Sequence, residues 1–226
     1  MEDTSTPAKN NNGLFIIGIT GSMGCGKSTV TKLFAKRGTR LLDADKMARE
    51  VVLPGKTGWQ EVVDYFGADI LVAEQNGDPL PHKQRPLNRK KLGEIIFNNP
   101  TKRTILESII HPKIANIKAE TLKKWEQEIP QGGQRIVVME VPLLFEAGLD
   151  DGCNLTLAVA CGEKQWQRLS ERKNMSATTK QAAIAQQLSE IEKKNRADRV
   201  IDNSGSLADT TAQVDKILEE IANMLH

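Results

Sequence analysis

Residues 14–29 read LFIIGITGSMGCGKST. The first seven are a short apolar and β-branched run, which predicts a buried strand over 14–20. Residues 21–28, GSMGCGKS, then match G-x-x-x-x-G-K-[ST] without a gap. Val30, Leu33 and Phe34 follow at helical spacing and predict a helix over 30–37. Strand, glycine-rich turn and helix in that order are the setting a phosphate-binding loop requires. Gly21, Gly24 and Gly26 allow successive backbone N–H groups to turn toward phosphate oxygens, with the positive end of the helix behind them. Lys27 can reach the β- and γ-phosphates, and the Ser28 hydroxyl can ligate the Mg²⁺ that travels with the nucleotide. The competing reading is a glycine-rich β–α turn that binds nothing. A match at every motif position, in the right setting, favours a nucleotide-phosphate site.

With 226 residues, 39% hydrophobic and 27% charged, the chain suits one well-buried domain or a core with sizeable insertions. No run approaches the ~18 apolar residues of a membrane span. MEDTSTPAKNNN, at the start, is polar and has no signal-peptide core, so residues 1–13 read as a disordered leader. Cys25, Cys153 and Cys161 make neither an even disulfide set nor a zinc-like spacing, which points to a reducing compartment, the cytoplasm. Cys25 precedes a helix N-terminus, where a thiol pKa can fall. It is either redox-sensitive or a silent filler.

Charge is unevenly spread. Residues 80–124 hold eleven Lys and Arg against three Asp and Glu, so the rest of a chain of net charge +2 is acidic. A basic block suggests an anionic partner. Phe97 is its one aromatic and no nucleic-acid module is recognisable, so a small polyphosphate substrate suits it better than nucleic acid. A solvated basic helix face is the plainer alternative.

Beyond the first helix, Gly38 sits where a C-cap would, 39–42 reads as a second strand, and Asp43-Ala44-Asp45 leads into a helix over 46–52. Ligands of open α/β sheets gather beyond the carboxyl ends of the strands, which puts the loop and the Asp pair at one rim. Asp43 suits an N-cap; Asp45, in the first turn, suits capping less well and is a candidate to face the terminal phosphate. A short helix fits 58–66, and 67–91 is rich in turn formers. Helical patterns over 88–97, 101–110 and 113–128, broken at Asn99-Pro100 and His111-Pro112, make 67–129 a helical acceptor-binding insertion. Strands follow at 135–141, 155–160 and 199–201. A helix over 163–173 places Arg168 and Arg172 four apart, and another over 177–189 leads into 190–196. These occupy the place of a kinase lid, where arginine brings positive charge onto a transferring phosphoryl when the lid closes. The alternative for Arg168 and Arg172 is a surface pairing with Glu163 or Glu171. Ser206 and Asp209 form a capping-box pattern for the last helix. The whole predicts an α/β fold: a five-stranded parallel sheet with helices on both faces, a core of 14–66, 130–162 and 197–226, and a lid over 163–196.

No N-K-x-D guanine signature is present, and Met139-Glu140 lacks the Asp-Glu pair of motor-type ATPases. A small-molecule kinase is therefore favoured over a GTPase switch or motor. The chain resembles the dephospho-CoA kinases from Phe15 to its last helix. The markers are ITGSMGCGKST, LLDADKMAREVV, NPTKRTILESIIHPKI, VPLLFEAGL, the helix of Gln165 and Arg168, and ADRVIDNSG. The resemblance implies ATP-dependent phosphorylation of the ribose 3′-hydroxyl of dephospho-CoA, with Mg²⁺, in a monomer or weak homo-oligomer. It implies that Asp45 is the base on the acceptor hydroxyl, that Gly24, Cys25, Gly26, Lys27, Ser28 and Thr29 hold ATP phosphates, and that Arg168 is the lid arginine. Thr20, Asp45, Arg103 and His111 would meet the acceptor, and Asn203 would lie against the adenine. Many members carry Asp before Pro-Leu-Leu; Glu140 and Val141 stand in that region here, so no metal-ligand Asp is assigned and Ser28 is the one metal ligand expected. A kinase of another small anionic acceptor and a non-kinase switch protein remain as alternatives.

Overall fold

In this computed structural model the described residues are 13–73, 81, 84–130, 133, 135–171, 184–185 and 187–225. The Phe15–Thr20 strand (β1) runs through the middle of an all-parallel sheet. With β2 (Arg40–Asp43), β3 (Ile136–Glu140), β4 (Leu155–Ala160) and β5 (Arg199–Asp202), the order is β2-β3-β1-β4-β5. Such strands are buried on both faces, which is why β4 is apolar at nearly every position. Ile17 and Ile19 of β1, Val138 of β3 and Leu157 and Val159 of β4 pack on one face against α1 (Lys27–Ala35) and α8 (Leu207–Leu225). Phe34 of α1 and Ile221 of α8 are fully buried there; each is worth about 2–3 kcal/mol of transfer free energy. Arg37, just past α1, pairs with Asp215 of α8, and this bond holds the Asp215 carboxyl below its usual range. The Ser206–Asp209 capping box starts α8 as expected, with Ser206 Oγ accepting from Asp209 N at 3.1 Å.

The remaining helices are α2 (Ala44–Glu50), α3 (Thr57–Phe66), α4 (Arg89–Phe97), α5 (Pro100–Glu128), α6 (Lys164–Glu171) and α7 (Glu190–Arg196). The expected helix over 177–189 and Arg172 fall largely or wholly outside the described residues, as do 1–12 of the leader. Two compact units divide the chain: Met1–Asp43 with Trp125–His226, and Ala44–Lys124. The second has its own core of Trp59, Val62, Ile70, Leu92 and Leu106, and Trp59 Nε1 donates to the Arg85 carbonyl at 3.0 Å. A bridge of Leu71 to Leu87 closes its turn-rich stretch.

One expectation is corrected. The sequence predicts a break at His111-Pro112, yet α5 runs unbroken through Pro112. A proline inside a helix removes one N–H and crowds the carbonyl one turn back, at about 3 kcal/mol. Pro112 is exposed, so water reaches that carbonyl, and Lys113 Nζ donates to the adjacent Ile109 carbonyl at 3.2 Å. The break at Asn99-Pro100 is real: Pro100 opens α5 and Asn99 Oδ1 caps Lys102 N at 3.0 Å.

Candidate active site

The P-loop emerges between β1 and β3, at the carboxyl edge where the strand order reverses, the usual place for ligands in such sheets. Gly26 turns the chain into α1 with φ +85°, a left-handed conformation that a side chain disfavours, and a Cβ there would collide with Asn203 Nδ2. Lys27 is buried, and its Nζ lies back over the loop, donating to the carbonyls of Gly21 (2.8 Å) and Ser22 (3.2 Å). Ser28 and Thr29 are exposed at the start of α1. They line or adjoin an open cleft of about 230 Å³ bounded by Ser28, Thr31, Lys32, Asp43 and Glu140.

The loop is pinned from the β5 side. Asn203 is buried and donates from Nδ2 to the Cys25 carbonyl at 2.7 Å, while its Oδ1 accepts from Thr210 Oγ1 at 3.0 Å. Arg168 of α6 donates to the carbonyls of Asn203 (2.9 Å) and Cys25 (3.4 Å), not to Glu163 or Glu171. Gln165 Nε2 donates to the Met23 carbonyl at 3.0 Å. The P-loop residues, Arg168 and Asn203 are thus assembled in one place. Asp45, Arg103 and His111 belong to the second unit: Asp45 exposed in the first turn of α2, Arg103 half-buried and His111 exposed on α5.

Thr20 closes β1 and is fully buried, its hydroxyl donating to the Pro142 carbonyl at 3.2 Å and accepting from Lys193 Nζ at 3.2 Å. Lys193 of α7, itself buried, also donates to Pro142 O (2.6 Å) and pairs with Glu146 at 2.9 Å. Burial would raise the Glu146 pKa, but the bonds from Lys193 and Leu188 N, with the Lys193 charge, bring it below the ordinary carboxylate value. Its stabilisation is complete above that ordinary value and is lost as pH falls through the lowered one. Lys193→Ala will cost about 3 kcal/mol by stranding the carboxylate, read as a lower urea midpoint, and Glu146→Gln will flatten the acid limb of stability against pH.

Glu140, at the end of β3, is the residue to which the sequence alone assigned no role. Its carboxylate accepts from Ser28 Oγ at 3.2 Å and Thr31 Oγ1 at 3.0 Å. Two hard oxygen donors beside the phosphate loop are the kind of set a Mg²⁺ ion takes. The expectation that the helix N-terminus can lower the Cys25 thiol pKa is corrected. Burial, then the neighbouring Cys161 and Glu190, push its thiol pKa up, because desolvation outweighs the pull of the helix N-terminus.

The dephospho-CoA kinase family model (CoaE) matches residues 15–209, most of the chain. The chain belongs to the dephospho-CoA kinase family. It is 38% identical over 210 residues to the dephospho-CoA kinase of Bacillus licheniformis, an alignment covering 92% of this chain and 98% of that one. Among solved structures, TT1252 from Thermus thermophilus is similar with a TM-score of 0.75 and 31% identity, covering 92% of this chain and 97% of the other. The dephospho-CoA kinase from Campylobacter jejuni gives 0.63 and 27%, covering 93% and 98%. No helix among the described residues is long and apolar enough to cross a membrane.

Proposed function

We propose that this dephospho-CoA kinase family member transfers the γ-phosphoryl group of ATP to the ribose 3′-hydroxyl of dephospho-CoA, giving coenzyme A and ADP. The observation that carries this reading is a P-loop with Lys27, braced by Asn203 and Arg168, in a chain matched to that family over 15–209. The N–H groups of residues 24–29 cradle the ATP phosphates, and Lys27 swings from its own loop carbonyls to the β- and γ-oxygens. Asp43 ends β2 at the edge where the P-loop leaves β1, and Asp45 follows two residues later. Asp45 orients the 3′-hydroxyl and takes its proton. Because the transition state is loose, orientation supplies more of the effect than basicity.

Ser28 would hold Mg²⁺, with Glu140 orienting its hydroxyl by accepting its hydrogen; the ion would supply positive charge against the phosphate oxygens. Asn203 supports the adenine side of the site through the Cys25 carbonyl, and Thr20 supports the acceptor side through Lys193. The helical segment 67–129, with Arg103 and His111, takes up the anionic body of dephospho-CoA, and 163–196 acts as the lid. The reading includes a cytoplasmic protein, monomeric or weakly self-associating, acting on small molecules rather than nucleic acid.

A coupled ADP-release assay with a panel of acceptors tests the reading. Turnover dependent on dephospho-CoA supports it; turnover with another anionic acceptor, or slow hydrolysis indifferent to dephospho-CoA, overturns it. Arg168→Ala will lower kcat about 10- to 100-fold, since its charge is needed on the transferring group. A change in thermal stability alone would make Arg168 a brace for the P-loop and nothing more.

A further inference from the structure

Cys25 of the P-loop and Cys161, just beyond β4, lie with their sulfurs 2.7 Å apart in the buried interior. Glu190, the first residue of α7, completes the cluster. Its Oε2 accepts from the Cys25 thiol at 3.3 Å and from Cys161 N at 2.9 Å. The polar hydrogens form a relay: Cys161 S–H toward Cys25, and Cys25 S–H toward Glu190. The third thiol, Cys153, takes no part and donates to the Leu149 carbonyl. A disulfide needs sulfurs ~2.05 Å apart, so the pair must close by only about 0.7 Å.

We propose that Cys25 and Cys161 form a reversible disulfide when the protein meets a hydroperoxide, tying the phosphate loop to the end of β4. Glu190 takes the Cys25 proton, and the thiolate attacks the hydroperoxide. The O–O bond breaks, Cys25 becomes a sulfenic acid, and the departing alkoxide or hydroxide recovers the proton from Glu190. The Cys161 sulfur then attacks the Cys25 sulfur. The S–O bond breaks, and hydroxide leaves as water with the Cys161 proton. The two sulfurs together lose two electrons to the peroxide, and an added dithiol returns them by exchange.

Covered, the pair is inert, because burial raises both thiols. α6 packs on the loop beside the pair: a Cβ at Gly24 would meet Leu169 Cγ at 3.0 Å, and Gln165 Nε2 donates to the Met23 carbonyl at 3.0 Å. Oxidation therefore requires a local opening that admits the hydroperoxide to the buried sulfurs. The Cys25 carbonyl is the acceptor shared by Asn203 and Arg168, so the cross-link fixes the point on which the loop is braced.

The test uses the full chain carrying Cys153→Ala, treated with millimolar hydrogen peroxide, quenched with an alkylating agent, and digested with trypsin without reduction. The expected result is a covalent pair of peptides 10–27 and 136–164, an intact mass lower by two hydrogens, and a fall in turnover of about tenfold or more that dithiothreitol reverses. Cys161→Ser in the same background will yield no linked peptides and no dithiothreitol-reversible loss. Recovery of both thiols alkylated, arrest of Cys25 at a sulfinic acid, or the same reversible loss in Cys161→Ser would overturn the proposal. The linked peptides are read without reference to any acceptor, so this failure is distinct from a failure of the proposed reaction.

Discussion

Asp45→Asn will lower kcat by about 100-fold or more, equivalent to ~2.7 kcal/mol of transition-state stabilisation, while the Kd for ATP stays within about twofold. The substitution keeps size and hydrogen-bonding reach but removes the charge that accepts a proton. The side chain is exposed in the first turn of α2 and belongs to neither core, so folding is spared. On the proposed mechanism ground-state binding of nucleotide does not involve it, and the loss therefore appears in kcat and kcat/KM together. Calorimetric titration with ATP beside steady-state turnover separates the two quantities. Near-wild-type turnover in this variant would remove Asp45 from the chemistry and leave it a helix-start residue.

Lys27→Ala will have the larger effect, about 1,000-fold in kcat, and will also raise the KM for ATP. On the proposed mechanism Lys27, unlike Asp45, meets the phosphates in both the ground and the transition state, so its removal is felt in both constants. Its Nζ sits at 2.8 Å from the Gly21 carbonyl, within the loop that must receive the phosphates, so little reorganisation precedes its use. Single-turnover measurement with saturating dephospho-CoA isolates the chemical step. A variant that lost only ATP affinity, with an unchanged chemical step, would show that the ammonium binds but does not catalyse.

Local pattern made the P-loop, the five strands and the capping box at Ser206 legible, because each is written within a few consecutive residues. What depends on strand order was hidden. Glu140 looks like the end of an apolar strand, and only the order β2-β3-β1-β4-β5 brings it against Ser28. The same holds for Cys161, whose partner lies far away in sequence, and for Lys193, an apparently ordinary lysine of a charged helix that is buried against Thr20, Pro142 and Glu146. For Arg168 the sequence left open a lid arginine or a surface pairing with Glu163 or Glu171; its bonds to the carbonyls of Asn203 and Cys25 are a partnership that neither reading named, because both carbonyls are distant in sequence. Pro112 misled because propensity was weighed without its exposure.

On the proposed mechanism one oxygen of one acceptor receives the γ-phosphoryl group, and γ-labelled ATP reports where that group goes. Incubated with this protein and dephospho-CoA, the label is expected in coenzyme A as a 3′-phosphomonoester, in equal amount to the ADP formed. Label recovered as inorganic phosphate, or on any other position of the acceptor, would contradict it.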